Sequence, residues 1–197
     1  MFDLQFITRV YQGVKASLLF WVYMLRGLII YGFLPSLFAL LAVMNDIRRG
    51  FEEEEHSVSS LYSEYYNKYS EYKAGSFLFS FLFVLYYTGL FFINQRPDDG
   101  VSLLLTIFVV YILALTIIVL SYGAHFVVIK QMTLKAGCIH GFLAALRNLL
   151  LSIGLLAVVF GLGYIATINF FLFIISFPAL YGFAILFFLG RVAGIKK

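Results

Sequence analysis

The side chains in this sequence whose types could do chemistry are few and widely spaced. Arg26 is a charged residue set well inside an apolar run. A cation held in lipid is costly, commonly marks function and commonly faces a partner. No Asp or Glu falls within the long apolar stretches. A partner for Arg26 is then a polar group such as Asn169 or His125, an anionic substrate, a lipid headgroup or a residue of another subunit. Arg26, Asn169 and His125 together form a candidate intramembrane polar site. The histidines His56, His125 and His140 have no carboxylate at ligand spacing, which excludes an ordinary zinc or iron site. The run Glu52 to Glu55 lacks the spaced ligands and central glycine of a calcium loop and reads as a solvated segment. The single cysteine, Cys138, excludes an intrachain disulfide and reads as a small buried or interfacial apolar residue. Nucleophile elbows, zinc-protease motifs and phosphate-binding glycine loops are absent. The sequence therefore predicts no enzyme, no metal and no cofactor.

What must position these residues is set by composition. Of 197 residues, 62% are hydrophobic, 19% aromatic and 12% charged, against about 25% charged in an ordinary soluble domain. That leaves too little polar surface to coat a soluble globule, and the long runs are apolar on every face. Met1 to Lys15 mixes Asp3, Gln5, Arg9 and Lys15 among apolar residues and does not read as a cleavable signal peptide.

About 20 apolar residues carry a helix across the hydrocarbon core. Five stretches approach or meet that length: 17–44, 76–93, 101–129, 149–164 and 168–189. The last two divide one long apolar run, with Gly161, Gly163, Thr167 and Asn169 supplying the turn of a helical hairpin. Small residues at Ala157 and Gly161 offer a close-packing pair in the fourth span. The first stretch admits two readings. It is one long tilted helix kinked near Pro35, or Phe6 to Leu25 is an interfacial helix and only Gly27 to Met44 crosses. Lys and Arg gather in the connections 45–75 and 130–148 and in the tail, against Arg9, Lys15 and Arg96 on the other side. Basic residues mark the cytoplasmic side, so five spans put the N-terminus outside and the C-terminus in the cytoplasm. The net charge of +4 is then a topology signal and not a nucleic-acid surface.

Both cytoplasmic connections read as carrying an amphipathic interfacial helix. In the first, Tyr62, Tyr65, Tyr66, Tyr69 and Tyr72 recur every three or four residues between polar ones. This tyrosine face is an aromatic belt at the interface or a partner-docking face. In the second, Cys138, Ile139, Phe142, Leu143, Leu146, Leu149 and Leu150 form one face.

Several segments carry a resemblance. Phe33-Leu34-Pro35-Ser36-Leu37-Phe38-Ala39-Leu40, Asn45-Asp46-Ile47-Arg48-Arg49-Gly50, Leu61 through Tyr69, Thr133-Leu134-Lys135 and Phe177-Pro178-Ala179-Leu180 resemble the YesL family of bacterial integral membrane proteins. The acidic run at Glu52 and the Leu at position 61 depart from its pattern. The resemblance implies no catalytic residues, since the family has none accepted. It implies a sugar-uptake context, because the family tends to occur beside carbohydrate importers of the ABC type and polysaccharide-degrading enzymes.

The sequence thus predicts an all-α polytopic helical bundle of about five transmembrane helices in the bacterial cell membrane, forming a single domain over residues 1–197. Its partners are the bilayer and either ABC-type permease subunits or further copies of itself. The expected role is an accessory or regulatory component of carbohydrate uptake; the alternative is a solute transporter in its own right.

Overall fold

The computed structural model describes residues 4–50, 57–96 and 99–190. The run Glu52–Glu55, His56, Pro97, Asp98 and the tail cations fall outside them. Among the described residues every regular element is a helix: α1 (Leu4–Arg26), α2 (Phe33–Arg49), α3 (Val58–Lys68), a single 3-10 turn (Tyr69–Tyr72), α4 (Lys73–Asn94), α5 (Gly100–Lys130), α6 (Leu134–Arg147), α7 (Leu149–Ile168) and α8 (Phe170–Leu189). Four of the helical stretches are long and apolar enough to cross a membrane: Val58–Asn94, which takes α3, the 3-10 turn and α4 together, then α5, α7 and α8.

Helix starts follow from side chains that can accept a hydrogen bond from a free backbone N–H. Ser57 caps α3, Asp99 caps α5, Thr133 caps α6 and Asn169 caps α8, each accepting from the backbone N–H three residues on. The hairpin expected in the last apolar run is present, but its turn is the single residue Asn169, so α7 runs through Gly161 and Gly163 to Ile168.

The first apolar stretch is not one helix. α1 ends at Arg26 and α2 starts at Phe33, with Leu28 and Ile29 between them at φ 53° and 64°. Such left-handed backbone is strained for Ile and persists only where neighbours impose it. Here Gly27 and Gly32 lie against each other, leaving no room for a Cβ on either. Nor does Pro35 kink a helix. It sits in the first turn of α2, where a missing N–H costs nothing. Ser76 Oγ accepts the N–H of Leu34 at 3.1 Å, satisfying another free donor of that turn.

α2 is buried on every side from Leu34 to Asn45, encased by α1, α3, α4, α5 and α8. The faces of α1 are the reverse of a soluble helix's. Phe6, Val10, Tyr11, Leu18, Val22 and Leu25 on α1 are exposed, while Gln12, Gly13, Ala16 and Ser17 face inward. With lipid outside, the drive to bury bulky apolar groups disappears, and small residues that allow close approach take the interior. The most extensive helix pair, α5 with α6, obeys the same logic. Gly137 and Gly141 of α6 press on Gly123 of α5 so closely that a Cβ on Gly141 would stand 2.9 Å from the Gly123 nitrogen. The expected Ala157–Gly161 pair does not play this part, since Ala157 is exposed and Gly161 faces open space. Hydroxyl pairs join the long helices: Tyr86 with Thr116 at 3.0 Å, Ser121 with Tyr181 at 2.6 Å and Tyr122 with Ser152 at 3.2 Å.

Candidate functional site

Polar side chains converge where the C-terminal ends of α2 and α5 meet α3. From Leu37 α2 is apolar until Asn45 and Asp46, and α5 stops at Gln131, whose left-handed backbone closes the helix. α3 lies across both. The result is a cavity of about 300 Å³ lined by Asn45, Asp46, Arg49, Tyr65, Lys68, Tyr69 and Gln131, with Ala42, Val128 and Ile129 as its apolar wall.

Within it the Tyr65 hydroxyl donates to Asp46 Oδ2 at 2.7 Å, and Lys68 Nζ donates to Gln131 Oε1 at 3.1 Å while standing 5.4 Å from the centroid of the Tyr69 ring. Gln131 Nε2 in turn donates to the Val128 carbonyl at 2.6 Å. Asn45 is only 7% exposed, yet its Oδ1 accepts no hydrogen bond. An unpaired buried acceptor costs about 1–3 kcal/mol, and this one lies closed off behind the cavity wall. The site offers an acceptor at Asp46, cations at Arg49 and Lys68, and aromatic walls. That set suits reversible binding of a small, hydroxyl-rich or zwitterionic molecule.

The residues expected to form an intramembrane polar site are not brought together. Asn169 is exposed in the α7–α8 turn, where it caps α8. His125 is buried within α5, its ring 5.9 Å from Phe126 and its Nδ1 without a partner. Arg26 is exposed at the end of α1, its guanidinium 5.8 Å from the centroid of the Tyr23 ring.

Three residues of the tyrosine face are turned inward, and Tyr65 and Tyr72 stay half-buried. Tyr62, Tyr66 and Tyr69 are buried by the chain itself. The Tyr62 hydroxyl donates to the Ser36 carbonyl at 2.8 Å, Tyr23 lies against Tyr62 and Tyr66, and Phe38 meets Tyr69 and Tyr72 edge-on. Tyrosines alternate with polar residues here because α3 needs one face for α2 and another for water. α6 turns its small face to α5 and leaves Ile139, Phe142, Leu143 and Leu146 outward, while Cys138, expected on that same face, lies against Gly123 of α5, and Leu149 and Leu150 begin α7.

Sequence reasoning missed Asn45, Asp46 and Gln131. The available signal was the abrupt polar pair that ends an otherwise apolar helix.

Among the described residues no group of His, Cys, Asp and Glu could hold a metal ion. No curated protein and no solved structure matches the chain. Residues 14–94, which include most of α1 and all of α2, α3 and α4, are similar to the family described as protein of unknown function, DUF624.

Proposed function

We propose that this chain is a non-catalytic accessory or regulatory component of the bacterial cell membrane that works with a carbohydrate importer of the ABC type and senses a small polar ligand in the Asn45–Asp46 cavity. The resemblance of its segments to the YesL family supplies the sugar-uptake context. One observation carries the accessory role over that of a carrier: the polar cavity lies at one end of the bundle, whereas the cavity between the helices is lined by apolar groups. That inner cavity, of about 240 Å³, is walled by Phe33, Leu37, Phe83, Ile117, Val159 and Phe177 among others. A hydrated solute would lose its hydrogen bonds there, at a cost of several kcal/mol per group.

Four crossings rather than five fit the helical stretches long and apolar enough to cross, which are Val58–Asn94, α5, α7 and α8. If these cross, the chain enters the first of them from the side that also receives the C-terminus. Arg96 then stands alone on the opposite side, a stronger charge asymmetry than five spans allow. The side that receives the C-terminus is then the cytoplasm, where α6 supports an interfacial role through its outward apolar face.

Purification in mild detergent from cells growing on the imported sugar is expected to recover permease subunits with the chain. Asn45→Leu and Asp46→Ala are expected to lower sugar uptake at unchanged protein levels. Saturable sugar flux in liposomes containing this chain alone would overturn the reading.

A further inference from the structure

A further cavity, of about 370 Å³, opens beside the α1–α2 turn and is lined by Arg26, Tyr31, Tyr66, Asn67, Ser70 and Lys73 together with Gly27 and Leu28. Its chemistry is one-sided. Two cations and four neutral side chains able to donate a hydrogen bond through N–H or O–H face a space that no carboxylate lines. The Arg26 guanidinium stands 5.8 Å from the centroid of the Tyr23 ring, a weak electrostatic partner that leaves N–H donors able to meet an oxyanion.

The surroundings identify what kind of anion fits. Lys73 is the first residue of α4, directly before the apolar run that enters the bilayer, so the cavity mouth lies at headgroup depth. Beside the mouth the strained turn holds apolar residues outward: Leu28 is 77% exposed, and Ile29, Ile30 and Tyr31 are about half exposed. Exposed Leu and Ile in left-handed or neighbouring positions gain nothing from water. They gain by meeting acyl chains, and the contact between Gly27 and Gly32 keeps that turn closed with Arg26 at its edge. Cations beneath an apolar rim form a site for a molecule with a phosphate at one end and hydrocarbon at the other.

We propose that Arg26 and Lys73 form a binding site for a phosphate group, and that the phosphate belongs to the headgroup of an anionic lipid lying against Leu28 and Ile29. The site is separate from the Asn45–Asp46 cavity and lies on the other side of α3. Binding there would tie the α1–α2 turn to the bilayer surface and clamp the buried helix α2 from its N-terminal end.

The test uses the full-length protein in a neutral maltoside detergent, titrated with phosphatidylglycerol, phosphatidylcholine or inorganic phosphate, read by native mass spectrometry and thermal unfolding. Phosphatidylglycerol is expected to remain bound as one retained molecule and to raise the unfolding temperature, while phosphatidylcholine does so far less. Each of Arg26→Gln and Lys73→Gln is expected to weaken retention about fivefold, with Arg26→Lys recovering part of the loss. Arg96→Gln, a cation on the far connection, is expected to change nothing. Stabilisation by millimolar inorganic phosphate alone, equal to that by phosphatidylglycerol, would retain the phosphate site but overturn the lipid. Equal retention of phosphatidylglycerol by the wild type and by folded Arg26→Gln and Lys73→Gln proteins would overturn the site itself.

Discussion

Pro178 removes one N–H from the interior of α8 and so frees the carbonyl of Ile174 four residues earlier. In lipid such a group needs a partner. Trp21 supplies it, its Nε1 donating to the Ile174 carbonyl at 2.8 Å, and Ser17 Oγ accepts the N–H of Ala179 at 2.9 Å. A helix defect in α8 is thereby the dock for α1. Trp21→Phe is expected to cost about 1–3 kcal/mol in unfolding free energy. Trp21→Phe combined with Pro178→Ala should cost less than the sum of the two, because an alanine in place of the proline restores the internal bond; additive losses in a double-mutant cycle would contradict the dock. Two titratable groups outside the crossings give further checks. The Ser102 backbone N–H holds the Asp99 carboxyl below its usual range. A depressed pKa in the folded state means that the cap stabilises above the unfolded value of about 3.9 and loses this as pH falls through the lower one. Asp99→Ala should therefore unfold at a lower temperature than wild type at pH 7, with the gap closing only below about pH 4. Burial against α5 pushes the Cys138 thiol up, so maleimide should modify it slowly in the folded protein at pH 7.5 and rapidly after denaturation. Fast labelling of the native protein would place the thiol elsewhere.

At the scale of elements, α4, α5 and the α7–α8 hairpin were legible because uninterrupted apolar length is a strong signal that lipid alone dictates. The break at residues 27–32 was not. Leu28, Ile29 and Ile30 read as a continuing apolar helix, and only the flanking Gly27 and Gly32 hinted at a turn whose closure depends on their mutual contact. The tyrosines of α3 were visible as a face, but periodicity does not say whether a face meets lipid, a partner or the chain's own α2. Glycines present the same ambiguity: Gly161 and Gly141 each stand four residues from a small neighbour, and only the tertiary contacts tell them apart. Gly141→Leu is expected to separate α5 from α6 and to lower expression of folded protein severely, since the Gly123 backbone cannot retreat. Gly161→Leu, pointing into open space, should unfold within a degree or two of wild type. Equal effects of the two in a thermal unfolding series would refute the α5–α6 seam.

The whole molecule separates an apolar exterior from a polar end. Large apolar side chains are exposed along α4, α5, α7 and α8, while among the described residues no Asp, Glu, Lys or Arg is buried. Composition made the first half of that picture legible. The second half needed three-dimensional convergence, because Asn45, Lys68 and Gln131 are far apart in sequence and meet only when α3 lies across the ends of α2 and α5. In the proposed arrangement, water and polar ligands reach the α2–α3–α5 cavity from one side and never the space between the crossing helices. Single cysteines introduced into a Cys138→Ala background test this directly, with a membrane-impermeant maleimide applied to sealed vesicles of each orientation. Cysteines replacing Asn45, Lys68 and Gln131 are predicted to react in one orientation only, and cysteines replacing Leu37, Ile117 and Val159 in neither. Labelling of the latter three, from both sides, would mean a wet path through the bundle and would contradict the accessory reading in favour of a transporter.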